Sequence, residues 1–287
     1  MKNVLVTGAG GQLGKCIKDA SLSHENLHFI FASQADLDIS NQKAIDLYFD
    51  LKHIDFCINA AAYTNVEKAE SDKDTAFKVN AESVEKLVKA CNRHDTTLLH
   101  VSTDYVFDGK KKSPYIEEDQ TSPINVYGSS KLKGEKIIIE QCKKYFILRT
   151  SWLYSQYGHN FFKSILKYAE EGKPLSITTE QIGTPTNAND LAAALIHIVL
   201  SGNKNYGVYH YSNSGEATWY DFAVKIVNLS GQLDKTKLAK TNHYLTFAKR
   251  PDFSVLNLNK FKSVFNKECV HWEKSLESLF QKINSNS

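Results

Sequence analysis

Short apolar runs alternate with amphipathic stretches along the first half of the chain. Residues 2–6, 27–32, 54–58, 97–102 and 145–150 are compact runs rich in Val, Ile, Leu and Phe, as strands buried on both faces require. Between them, 41–51, 73–93 and 128–142 carry apolar residues at helical spacing, and 15–20 continues as a short helix. Repeated strand–helix units predict an α/β fold, a Rossmann-type doubly wound parallel sheet with helices on both faces. Beyond residue 150 the pattern loosens. Helices are predicted over 160–171, 189–200, 218–228 and 273–283, and strands over 175–178 and 208–212. All five prolines stand beyond residue 113, so the later half is read as the more irregular. The resulting division is a dinucleotide-binding domain over 1–150 and a smaller α+β substrate-binding lobe over 151–287, with 189–201 packing back onto the first domain. The polar tail 284–287 is expected to fray.

The first run ends in Thr7-Gly8-Ala9-Gly10-Gly11-Gln12-Leu13-Gly14, and a helix follows. Gly8, Gly11 and Gly14, three apart between strand and helix, fit a dinucleotide fingerprint. In it, glycine allows the tight turn, the approach of backbone to a pyrophosphate, and close helix packing. In an open α/β sheet, ligands sit beyond the carboxyl ends of the strands. Three further segments fall there: 33–38, Asn59-Ala60-Ala61-Ala62-Tyr63-Thr64, and 102–107. The small residues Ala60 to Ala62 let backbone approach a flat cofactor. Asp38 has two readings, an acceptor for an adenine amino group or a helix N-terminal carboxylate ahead of Asn41.

Ser102-Thr103-Asp104-Tyr105 closes the fourth run in hydroxyl residues, and Tyr127-Gly128-Ser129-Ser130-Lys131 comes later. A tyrosine and a lysine four apart share one face of a helix, so the ammonium is expected to lower the phenol's pKa toward neutrality and make it a general acid. The spacing occurs twice. Tyr48/Lys52 falls in an ordinary amphipathic stretch, and only Tyr127/Lys131 follows an apolar strand that ends in hydroxyl residues.

Composition narrows the class. A net charge of +3 over 287 residues is too small to argue for nucleic acid, and Lys110-Lys111-Lys112 reads as a solvated turn. Five cysteines without a Cys-x-x-Cys pair read as reduced, mostly buried small hydrophobes. The first strand leaves no room for a signal-peptide apolar region, and no apolar run approaches a membrane span. A cytoplasmic protein without membrane or nucleic-acid partners is expected. The ten histidines show no ligand spacing, so no metal site is assigned.

Several longer stretches are more selective: Asp36-Leu37-Asp38-Ile39, Asn59 to Val66 with Lys68-Ala69-Glu70, Ser102-Thr103-Asp104-Tyr105-Val106-Phe107-Asp108-Gly109, Ser122 to Lys131, Arg149 to Tyr154, Gln181-Ile182-Gly183-Thr184-Pro185-Thr186 and Arg250-Pro251. With the glycine turn, they make the chain resemble the extended short-chain dehydrogenase/reductase family, and within it the reductases of dTDP-linked 4-keto-6-deoxyhexoses. The resemblance implies a hydride transfer from NADPH or NADH to the keto carbon of dTDP-4-dehydrorhamnose, giving dTDP-L-rhamnose. By the same resemblance Tyr127 protonates the developing alkoxide, Lys131 holds the nicotinamide ribose, and Thr103 donates to the same oxygen. Gly8, Gly11, Gln12, Leu13, Gly14, Asp38, Ile39, Ala61, Ala62, Tyr63 and Thr64 are the implied remainder of the cofactor site. Asp104, Tyr105, Trp152, Asn160, Gln181 and Arg250 are the implied substrate contacts, although Asn160 and Gln181 also suit a cap or loop and Trp152 also suits a core. Arg250 is one of only three arginines, which marks it for a diphosphate; Arg149, at a strand end, reads as structural.

Three alternatives border this reading. Nucleotide-sugar dehydratases carry Thr-Asp-Glu where this chain has Thr103-Asp104-Tyr105, so water elimination is not expected. Epimerases of the superfamily share the Tyr/Lys pair. A regulatory subunit resembling methionine adenosyltransferase beta shares the fold and the Thr-Asp-Tyr-Val-Phe-Asp-Gly stretch. The end of the second strand, Phe31-Ala32-Ser33-Gln34, offers neither an acidic residue for a ribose hydroxyl nor an arginine for a 2′-phosphate, so both NADH and NADPH are expected to serve. Some family members dimerise through metal-bridged carboxylates, but Cys16 stands at the relevant position. A monomer or a homodimer without that bridge is expected.

Overall fold

The computed structural model describes residues 1–242 and 246–285. Five strands, β1 (Lys2–Thr7), β2 (Leu27–Ala32), β3 (Phe56–Asn59), β4 (Thr97–Thr103) and β5 (Tyr145–Thr150), join Gly207–His210 in one parallel sheet. Its order is Gly207–His210, β5, β4, β3, β1, β2. The direction of winding reverses between β1 and β3, the point where such sheets open a crevice for ligands. Alternation along each strand explains the continuous apolar runs. Val4 and Val6 point into one core layer, under the helices Gln12–Ser21, Ala188–Ser201 and Asn259–Phe265. Leu5, Cys57, Leu98 and Ile147 point into the other, under Gln42–Leu51, Ser83–Arg93 and Val126–Gln141.

The segment 73–93 is helical throughout, with a π-helical bulge over Lys78–Glu82. The helix predicted over 128–142 starts at Val126, so Tyr127 lies in its first turn. Asn125 caps it, its side chain accepting from the Gly128 N–H at 2.7 Å. A Cβ on Gly128 would lie 2.2 Å from the Tyr105 carbonyl oxygen, so glycine lets this helix press against the turn that follows β4.

The second lobe has its own core, in which Tyr154, Phe162, Ile165, Phe222, Ile226, Trp272 and Leu276 pack together. It is interleaved with the sheet domain along the chain. The strand read over 208–212 within the later half is Gly207–His210, and it pairs with β5 in the main sheet. The strand read over 175–178 is present as Leu175–Thr178; its parallel partner Leu238–Thr241 and the helix Asn259–Phe265 were not indicated by the periodicity. The last helix runs Trp272–Asn284; of the tail expected to fray, Asn286 and Ser287 lie outside the described residues. No described helix is long and apolar enough to cross a membrane.

Two buried charges, Glu135 and Arg149, form an ion pair. Arg149 on β5 meets Glu135 through Nε and Nη2, the latter at 2.7 Å, and its guanidinium covers the Phe107 ring. This is the structural role read for Arg149. All five cysteines are unpaired and buried.

Candidate active site

A cleft of about 820 Å³ opens beyond the carboxyl ends of the strands. Gly11, Gln12 and Leu13 form one wall, with Ala62 and Thr64 beside them. Thr103, Asp104, Tyr105, Tyr127 and Lys131 line its floor, and Trp152, Asn160, Gln181 and Arg250 its far side. Gly8 and Gly14 lie behind the turn. A Cβ on Gly8, whose φ is +68°, would meet Ala61 N at 2.6 Å, and one on Gly14 would meet Gly8 O at 2.5 Å. Gly8 therefore lets the turn press against the segment after β3, and Gly14 lets the helix close on the turn. Asp38, Ile39, Ala61 and Tyr63 are not among the residues that line the cleft. Ile39 is buried. The exposed Asp38 accepts from Ser40 N and Oγ, which holds its carboxyl below the usual range, and the helix cap belongs to Asn41.

The glycine turn fits a dinucleotide. Gly11 is the N-cap of Gln12–Ser21 and offers no side chain to the first N–H groups, and no acidic residue stands in the first turn. Those donors and the helix dipole suit a pyrophosphate. A Cβ at Gly10 would meet nothing within 4 Å, so the turn has open space on its outer side.

Tyr127 is half-buried, its ring edge-on to Tyr105 with centroids 5.8 Å apart. The expected lowering of its pKa by Lys131 is overturned. Burial pushes the phenol up to about 12, hydrogen bonding with Thr103 opposes this, and the Asp104 charge adds to it. Lys131 is turned the other way: Nζ donates to Val101 O at 2.7 Å and lies 3.2 Å from His100 Nε2. Burial draws its pKa down to about 8. Thr103 Oγ1 accepts from Tyr105 N and donates to Asp104 Oδ1 at 3.0 Å. Asp104 is enclosed, and burial raises its carboxyl to about 6.

On the far side, Trp152 stacks on Trp219 at 3.6 Å with planes 7° apart. Its φ of +44° is unusual for a bulky residue, and a Cβ on the neighbouring Gly183 would lie 2.5 Å from its ring. Trp152 is thus built into the cleft wall, half-buried, and not into the core. Gln181 Oε1 accepts from Trp219 Nε1 at 2.8 Å and fixes that stack. Asn160 is a cap: Oδ1 accepts from Lys163 N, while Nδ2 donates to Ser155 O and Tyr157 O. Arg250 donates to Glu67 Oε1 at 2.8 Å, and the other Glu67 oxygen accepts from Phe247 N and Ala248 N.

Residue types alone did not single out Glu67, Trp219, Asn80 or His100. Asn80, in the π-helical bulge, donates to Ser130 Oγ and exchanges bonds with the Tyr63 backbone, tying the wall near Thr64 to the helix that carries Tyr127. The available signal was polarity inside apolar runs, which gains meaning only once register is known.

The chain matches the family described as RmlD substrate binding domain over residues 1–285. It is 37% identical to a dTDP-4-dehydrorhamnose reductase of Aggregatibacter actinomycetemcomitans, with 97% of this chain and 98% of that one covered. Among solved structures, a dTDP-4-dehydrorhamnose reductase from Bacillus anthracis in complex with NADP superposes with a TM-score of 0.93 at 34% identity, over 98% of this chain and 100% of that one. One from Clostridium acetobutylicum gives 0.92 at 36%, over 98% and 99%.

Proposed function

Because this chain belongs to the RmlD-type dTDP-4-dehydrorhamnose reductase family, we infer that it reduces the 4-keto group of dTDP-4-dehydrorhamnose with NADPH or NADH to give dTDP-L-rhamnose. The observation that carries this reading is that Tyr127, Thr103, Lys131, Trp152, Gln181 and Arg250 line one cleft with the glycine turn. A binding subunit without catalysis has no need for that convergence.

The Gly11–Leu13 turn would hold the cofactor pyrophosphate, and Lys131 the nicotinamide ribose. When bound, the reduced nicotinamide supplies a hydride for the sugar carbonyl carbon. Tyr127 holds the proton that the carbonyl oxygen needs. At neutral pH a phenol with a pKa near 12 keeps its proton, yet it remains a competent donor to a developing alkoxide, which is a far stronger base. Thr103, hydrogen-bonded to Asp104 at rest, is the second hydroxyl at that oxygen. The Trp152–Trp219 stack offers an apolar face to the sugar nucleotide, and Arg250, steadied by Glu67, a cationic fork for its diphosphate.

Either a monomer or a homodimer serves this chemistry, because every residue named belongs to one chain. The five unpaired cysteines support a cytoplasmic location. The deciding experiment is incubation with dTDP-4-dehydrorhamnose and NADPH, following cofactor oxidation and identifying the sugar by NMR. Stoichiometric dTDP-L-rhamnose supports the reading; cofactor that cycles without net oxidation, with an epimer as product, overturns it.

A further inference from the structure

Behind the catalytic lysine lies a row of buried polar side chains that the reaction as described does not use. Thr7 and Asn59, the last residues of β1 and β3, stand side by side with His100 in the middle of β4, because Thr7 registers with Asn59 and Asn59 with His100. All three are at most 1% exposed. By strand alternation they point to the same face as Leu5, Cys57 and Leu98, the face that carries the helix of Tyr127 and Lys131.

Their hydrogen bonds fix each other's direction. Ala61 N–H is an unambiguous donor and meets Asn59 Oδ1 at 3.2 Å, and the Thr7 hydroxyl donates to the same oxygen at 2.7 Å. The amide therefore turns Nδ2 toward His100 Nδ1, 3.1 Å away. Nδ1 must accept, so a neutral ring carries its proton on Nε2. Burial and the neighbouring lysine hold the His100 pKa well below the usual value, so the ring is neutral. That places an N–H 3.2 Å from Lys131 Nζ. A charged ammonium has no lone pair to receive it; a neutral amine does, while still donating to Val101 O.

We propose that Thr7, Asn59 and His100 form a tautomer-locked ladder that presents an N–H to Lys131 and so weakens the lysine's hold on its third proton. His100 and Asn59 are then positioning residues that tune the lysine charge. Burial already draws the Lys131 pKa down to about 8, and the ladder acts in the same direction. The charged neighbour that moves the lysine acts the other way. Glu135, one turn along the same helix and paired with Arg149, pulls the lysine pKa up. Glu70 accepts from Val126 N at the helix start, and the segment 73–93 meets the helix with the uncharged Asn80 and Val84. On the cleft side, Asp104, Tyr105 and Tyr127 are ionisable residues that share the lining with Lys131.

Only the kinetic part of the test rests on the reductase reading. In the full-length protein labelled with 15N-histidine, ring nitrogen shifts report where the His100 proton sits, with the signal assigned by its loss in His100→Gln. A proton on Nε2 is expected; one on Nδ1 overturns the ladder, whatever the substrate. In turnover, the alkaline limb of kcat/KM reads the loss of the lysine charge. Asn59→Asp puts an acceptor opposite Nδ1, moves the ring proton there and turns the Nε2 lone pair to the ammonium, so the limb moves up by about one pH unit. Asn59→Asp with His100→Phe keeps the added charge and removes the ring, and should lose most of that shift. An unmoved limb in the single variant, or a full shift in the double variant, overturns the proposal.

Discussion

The two sides of the cleft are built differently. The side that carries Tyr127 and Lys131 is mounted on the parallel sheet: Thr103, Asp104 and Lys131 are buried, strand register sets the neighbours, and helix 126–141 is pinned by Asn125, Gly128 and the Glu135–Arg149 pair. The side that carries Trp152, Gln181 and Arg250 is mounted on loops and two-residue strands, and is held by contacts between distant points of the chain, such as Glu67 with Arg250. Chemistry that tolerates little displacement sits on the rigid frame, and recognition of a large, variable ligand sits on the adaptable one.

That contrast gives perturbations of different kinds on the two sides. Tyr127→Phe should lower kcat by about 10²- to 10⁴-fold while leaving the nucleotide-sugar KM near wild type; stopped-flow cofactor oxidation checks this, and near-normal turnover removes Tyr127 as the acid. Glu135→Gln leaves Arg149 buried without its carboxylate and should cost about 3–5 kcal/mol in urea unfolding. A loss below about 1 kcal/mol there would erase the distinction between a rigid and an adaptable side.

Asp104 titrates high because it is enclosed, so folding favours its protonated form. Its contribution to stability is complete below the unfolded value near 4 and is lost as pH rises through about 6. Asp104→Asn should therefore be more stable than wild type at pH 7, by up to roughly 3 kcal/mol, with the difference closing by pH 4. Equal gains at both pH values would show that folding leaves the carboxyl's pKa unshifted. Glu67→Gln weakens the hold on Arg250 and should raise the nucleotide-sugar KM about tenfold with kcat unchanged, reversing the Tyr127→Phe pattern. The smallest effect expected is between cofactors: with no acid or arginine at the end of β2, NADPH and NADH should differ by less than about tenfold in kcat/KM.

The same contrast governs what the amino-acid sequence could disclose. β1 to β5 and their helices are legible because burial on both faces leaves unbroken apolar runs, and the glycine turn because only glycine fits where a Cβ would strike Ala61 N. Tyr127 and Lys131 were legible from helical spacing, but the direction of the phenol's pKa was not, since it is set by burial and by the Asp104 charge, while Lys131 faces Val101 and His100. The pairing of Leu175–Thr178 with Leu238–Thr241, the return of Gly207–His210 to the main sheet, and the Glu67–Arg250 contact join points far apart in the chain, which no local period encodes. His100 looked like an interruption of an apolar strand, and Asn59 like the start of the segment after one, until register set them side by side.

The face-to-face indoles of Trp152 and Trp219 also give the protein an optical signature. Two of its three tryptophans are close enough to share excitation, so circular dichroism of the folded chain should contain an exciton couplet. A sugar nucleotide that wedges against the pair would collapse that couplet, whereas one that docks without parting the rings would leave it intact and change only the emission.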